Sequence, residues 1–182
     1  MRIRTVAAAV VLGFLLPGVG GSALAEVQKL SFPVKGLVSP LGTRGVEESI
    51  KRLRGVASVR ADLATGRVEV EAQAGQTLNI EEIRLRSARA GFPVNGELDM
   101  LARGRFAIGA DGRITFRVIG TPYSWQVLEG QRLLALFRGS PTLSGEYLAG
   151  FRLHDRPPNV RPAIALTRAE RVGQPVARAG GR

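Results

Sequence analysis

Few side chains in this sequence could do chemistry. Among its 182 residues there is no cysteine and a single histidine, His154. The missing thiols exclude disulfides, zinc–thiolate and iron–sulfur sites and thiol catalysis from this chain. One imidazole and two methionines leave little with which to hold a transition metal. His154-Asp155 is a pairing with catalytic potential, but no serine nucleophile stands in a recognisable frame around it, and its plainest reading is a solvent-facing loop histidine. Glu47-Glu48 and Glu81-Glu82 read as solvated acids near helix N-termini, where the helix dipole favours negative charge. Phe116, Tyr123 and Trp125 interleave with Arg113, Arg117 and Arg132. Such a face can stack single-stranded nucleic acid, yet the same alternation fills the inside of a small barrel. No glycine-rich phosphate loop or internal repeat is visible.

Charge and the first residues bear on location. Lys and Arg number 26 against 15 Asp and Glu, giving +11 and a pI near 11.5. Only Lys29, Lys35 and Lys51 are lysines, a skew toward Arg that a GC-rich genome produces without any anionic partner. Arg2 and Arg4 precede an apolar run, Val6–Leu16, then Pro17-Gly18 and the small-residue site Ala23-Leu24-Ala25. These are the three parts of a secretory signal peptide, so residues 1–25 are expected to be cleaved and the mature protein to be periplasmic. The run is too short to span a bilayer; an uncleaved anchor is the rival reading. An exported location argues against nucleic acid as a ligand.

The elements that must position any site come next. Leu30, Phe32 and Val34 alternate as one face of a strand. Ser39-Pro40 then supplies a helix cap and a residue preset for the first helical position. Val46, Ile50 and Leu53 follow at helical spacing up to Gly55. Val59, Ala61 and Leu63 alternate, Ala64-Thr65-Gly66 turns, and Val68, Val70 and Ala72 return with Arg67, Glu69 and Glu71 toward water. A second helix is expected from Asn79 to Ala90, burying Ile80, Ile83 and Ser87 or Ala88, and Phe92-Pro93-Val94 begins a last edge strand. The order is βαββαβ, a ferredoxin-like sandwich and so an α+β fold.

The residues around the first helix resemble the heavy-metal-associated domain of mercury- and copper-binding periplasmic proteins and metal-transporting ATPases. That family reads G-M-x-C-x-x-C, and the frame here is Gly36-Leu37-Val38-Ser39-Pro40-Leu41-Gly42, followed without a gap by Val46-Glu47, Ile50, Leu53 and Gly55-Val56. Val59, Asp62-Leu63, Gly66, Val68, Ile83 and Gly91-Phe92 continue the likeness, which covers about residues 27–94. The resemblance implies that Gly36, Leu37, Ser39 and Gly42 are the positions of a degenerate metal loop. Ser39 and Gly42 stand where the two cysteines would be, and Leu37 replaces the usual Met. Thiolates bind Cu(I) and Hg(II) because soft cations favour sulfur, so a hydroxyl and a glycine are not expected to bind them. No metal and no cofactor is expected.

Beyond Met100 the pattern shifts to short strands with glycine punctuation. Phe106 and Ile108 lead through Ala110-Asp111-Gly112 into Ile114, Phe116 and Val118, a hairpin. Tyr123–Leu128, Leu143–Leu153 and Ala163–Thr167 supply further strands, while Gln131–Phe137 suits either a helix or a strand. A small all-β barrel, OB-like in form, is expected. The expected division is residues 1–25 signal peptide, 26–96 ferredoxin-like domain, 97–171 barrel, and 172–182 a disordered tail rich in Gly, Ala, Pro and Arg.

The function expected is an exported, non-enzymatic binding or adaptor protein, an accessory of a metal transport or homeostasis system as the resemblance implies. A carrier using non-cysteine ligands and an enzyme with an unrecognised site are the alternatives. The partner expected is another exported or membrane-bound protein, or an anionic surface. Lys35, Arg44, Arg84, Arg86 and Arg89 are the candidate contacts for a partner or an anion. Processing is directly testable: N-terminal sequencing of the exported protein should begin at Glu26, whereas an intact chain recovered only from membranes would establish an anchor.

Overall fold

The computed structural model describes residues 27–129, 145–153 and 163–172. The expectations for the signal peptide, for Gln131–Phe137, for His154-Asp155 and for residues 173–182 lie outside the described residues. The first unit comprises β1 (Val27–Pro33), α1 (Pro40–Lys51), β2 (Val56–Asp62), β3 (Arg67–Ala72) and α2 (Ile80–Arg89). β4 (Leu98–Ile108) follows, then β5 (Ile114–Val118), β6 (Ser124–Glu129), β7 (Tyr147–Leu153) and β8 (Ala163–Arg171).

Each helix starts and stops for an identifiable reason. Ser39 caps α1, and its side chain accepts a hydrogen bond from the Gly42 N–H while Pro40 opens the helix. Asn79 caps α2 by accepting from the Glu82 N–H at 3.1 Å. Val46 and Ile50 on α1, and Ile80, Ile83 and Ser87 on α2, face the sheet and are buried. Ser87 is the buried polar residue of this interface, and its hydroxyl donates to the Phe92 carbonyl.

Both helices cover a sheet ordered β2-β3-β1-β4, the arrangement of a ferredoxin-like unit. The strand after α2 differs from expectation. Val94 forms only an isolated antiparallel bridge with Val34, because Pro93 and the turn at Gly96 interrupt pairing. The fourth strand begins instead at Leu98, and it is not an edge. Leu63, expected to continue the β2 alternation, falls beyond the strand and is 41% exposed.

β4 is shared by two sheets. Asp99, Met100, Leu101 and Ala102 pair with β1, while Leu98–Gly104 pair with β7 on the opposite edge. From Gly104 onward β5 takes the place of β1. The second sheet runs β4-β5-β6-β8-β7 and closes through β4–β7 into a five-stranded barrel in which β6 and β8 are parallel. Numbered from its own first strand the order is 1-2-3-5-4-1, matching the OB-like expectation.

Phe106, Phe116 and Phe151 fill the barrel with Tyr147, and the Phe116 and Phe151 ring centroids lie 4.5 Å apart. Trp125 is also buried, and the half-buried Tyr123 stacks on it and packs against the core, so these aromatics form packing contacts rather than an open stacking face. On the outside, Arg105 and Arg103 donate to Glu146 and hold its carboxyl below the usual carboxylate range. That contribution to stability is present above the ordinary carboxylate pKa and is lost as falling pH passes the lowered one. One continuous apolar cluster runs from Val27 and Ile50 to Phe151 and Leu166.

Gly104 is where β4 passes from one sheet to the other. A Cβ there would overlap the Arg117 carbonyl oxygen and lie 2.7 Å from Phe116 Cε1. Gly104→Val should therefore destabilise the protein by about 1–3 kcal/mol through overpacking, read as a lower urea midpoint. An unchanged midpoint would mean that the close approach is not required.

Candidate functional site

Three connections converge at one end of the ferredoxin-like unit. The Val34 N–H donates to the Gly66 carbonyl at 2.9 Å, tying the β1–α1 loop to the β2–β3 turn. The Lys35 N–H donates to the Pro93 carbonyl at 3.1 Å, tying it to the segment after α2. Gly36 turns the chain with φ +84°, a conformation that L side chains rarely adopt. Leu37 then drops into the core at 6% exposure and anchors the loop from beneath. In the β2–β3 turn, the Thr65 hydroxyl and the Ala64 N–H donate to Asp62 and lower its pKa.

Past Leu37 the loop presents Val38, Ser39, Pro40, Leu41 and Gly42. Ser39 is extended, with φ −146° and ψ 152°, and its Oγ accepts from the Gly42 N–H at 3.1 Å. Its carbonyl accepts from the Thr43 N–H at 3.1 Å, and the Thr43 hydroxyl donates to the Pro40 carbonyl at 2.7 Å. Pro40 has no N–H, so among the described residues the Leu41 N–H is the first-turn donor left for an outside acceptor. The serine oxygen is thus committed to holding the helix start. Gly42 offers no side chain, and the space beside it is occupied: a Cβ there would stand 3.0 Å from Phe92 Cζ and 3.4 Å from Ser39 Oγ.

The donor set does not fit a soft metal ion. One hydroxyl used as a cap and one glycine cannot replace two thiolates, which bind soft cations through polarisable, deprotonated sulfur. Among the described residues, no group of three or more His, Asp and Glu side chains could hold a metal ion. The loop retains instead an apolar tip, with Val38 84% and Leu41 81% exposed. Lys35 and Arg44 flank them in sequence, and both are exposed.

The other candidate cations separate into two groups. Arg86 and Arg89 lie with Arg52 of α1 along the groove between the two helices, whereas Arg84 lies outside it. Sequence reading missed Arg52. The signal for it was the stripe Gly45, Ser49 and Arg52, which falls on one face at helical spacing.

Residues 43–92 match the family model of the heavy-metal-associated domain. The chain therefore carries a domain like those of the family over part of its length, and it does so without cysteines. The match begins at Thr43, directly after the altered loop. No curated protein matches the chain. Among solved structures, the CopZ metallochaperone is 19% identical over 37% of this chain and 98% of its own, with a TM-score of 0.35. A putative copper-ion-binding protein from Bacillus anthracis is 28% identical over 38% of this chain and 96% of its own, with a TM-score of 0.35. Oxidized MerP from Ralstonia metallidurans CH34 is 20% identical over 38% of this chain and 94% of its own, with a TM-score of 0.34.

The loop geometry sets an expectation that can be measured. The native protein should not compete with a chromogenic chelator for Cu(I), and Ser39→Cys with Gly42→Cys should, once the Phe92 ring moves by a few tenths of an ångström. Losing the Ser39 cap should cost about 1 kcal/mol in a urea titration. Strong competition by the native protein would overturn the degenerate-site assignment. A folded double variant that fails to compete would show that the loop no longer presents ligands.

Proposed function

We propose that this protein is an exported, non-enzymatic binding or adaptor protein, acting beside a metal-handling system through a heavy-metal-associated-like domain that has lost its thiols. The observation that carries the reading is the state of the loop. Its backbone frame is held by Gly36, Leu37 and the Ser39 cap, while its ligand positions carry a committed hydroxyl and no side chain. A frame kept without its ligands is suited to contact rather than coordination. Val38 and Leu41 at its tip supply apolar area, and burying one such side chain contributes about 1.5–3 kcal/mol. Lys35 and Arg44 beside them would favour a partner with acidic residues around an apolar patch. The signal-peptide pattern in residues 1–25 supports export, and with it a partner that is exported or exposed on a membrane.

The test is affinity capture from a periplasmic extract of the source cells, run with the native protein and with Val38→Glu/Leu41→Glu in parallel. A protein retained by the native chain and lost with the variant, with no metal carried by either, is the expected outcome. Capture that is indifferent to the loop variant, or stoichiometric metal on the native protein, would overturn the reading.

A further inference from the structure

We propose that the groove between α1 and α2 binds a small phosphate-bearing anion, of the size of pyrophosphate, through Arg52, Arg86 and Arg89. The site goes beyond the adaptor reading and does not depend on it, since the loop tip plays no part in it. α1 contributes Gly45, Glu48, Ser49 and Arg52, positions i, i+3, i+4 and i+7, which form one stripe along the helix. α2 contributes Arg86, Arg89 and Ala90 from its last turn and beyond. The groove holds about 370 Å³. Along α1 it runs about 10 Å from Gly45 to Arg52, at 1.5 Å per residue.

The floor is built to leave room. Nothing lies within 4 Å of where a Gly45 Cβ would stand, and Ala90 opposite adds only a methyl group. The Ser49 hydroxyl donates to the Arg86 carbonyl at 3.4 Å and so links the two helices that line the groove.

The charge is unbalanced. Arg86 and Arg89 have no ion-pair partner among the described residues. Their position near the C-terminus of α2 suits the helix dipole, as does that of Arg52 at the C-cap of α1, and the packing of the two helices brings all three arginines to one groove. Glu48 meets Arg52 at 3.8 Å with both side chains at least 70% exposed, a weak pair that an incoming anion can displace. Phosphate fits this set better than a lone carboxylate. It offers more acceptor oxygens and more charge, and planar guanidinium forks engage such oxygens two at a time.

Calorimetric titration with inorganic pyrophosphate at low ionic strength tests the assignment, with added salt expected to weaken binding. Native protein should bind at one site, and Arg86→Gln/Arg89→Gln should weaken the affinity about tenfold or more. Glu48→Gln should strengthen it about threefold, a gain that misfolding cannot imitate. Arg60→Gln/Arg117→Gln removes the same charge from exposed positions on β2 and β5 and should leave binding unchanged. Absence of binding, equal losses in the two double variants, or weaker binding with Glu48→Gln would each overturn the proposal. None of these outcomes bears on partner capture at the loop, so the two readings fail separately.

Discussion

The structure depends on one strand being hydrogen-bonded on both edges. β4 completes the sheet beneath α1 and α2 and opens the barrel. Its inward residues Leu98, Met100, Ala102 and Phe106 are all buried, so a single alternation serves both units. The outward face carries the polar counterpart. Arg67 of β3 donates to Asp99 at 2.8 Å and to the Ser31 carbonyl at 3.1 Å. Arg152 of β7 donates to the other Asp99 oxygen at 2.9 Å. One carboxylate on β4 therefore joins β3 of the first unit to β7 of the second. These groups are part-exposed, and such pairs contribute modestly. Their geometric effect is to fix register across strands that the chain brings together from far apart.

The barrel also meets the helix layer. Tyr123, stacked on Trp125 with centroids 5.3 Å apart, lies near the start of α2. Burial and the nearby Glu81 carboxylate raise its phenol pKa, while a hydrogen bond with the Ile80 backbone acts in the opposite sense. The altered loop keeps its frame through supports of its own. Gly36, the buried Leu37 and the cap hold it through backbone geometry and core packing, and neither needs a metal ion.

Much of this was legible in the residues. The cap at Ser39, the span of the second helix from about Asn79, the buried positions of both helices and the β2–β3 and β4–β5 hairpins all follow from local spacing. So does the loop itself, because its frame is contiguous in sequence. The separate roles of Arg84 and of the Arg86–Arg89 pair were not legible, because the partner Arg52 is brought close only by helix packing. Nor was the occupant of the space beside Gly42, since Phe92 lies fifty residues further on in sequence.

The sequence by itself determined the chemistry: a chain without thiols, and a serine and a glycine at the ligand positions of its loop. It also determined the two helices and the hairpins, because caps, turns and periodicity act over a few residues. Tertiary structure alone decided how those elements join. The strand expected at Val94 reduces to one bridge, and Leu98–Ile108 takes its place between two sheets. Local pattern cannot distinguish those outcomes. Which backbone edge a strand presents, and to which partner, is set by long-range hydrogen bonding and by the space at Gly104, where any side chain would meet Phe116.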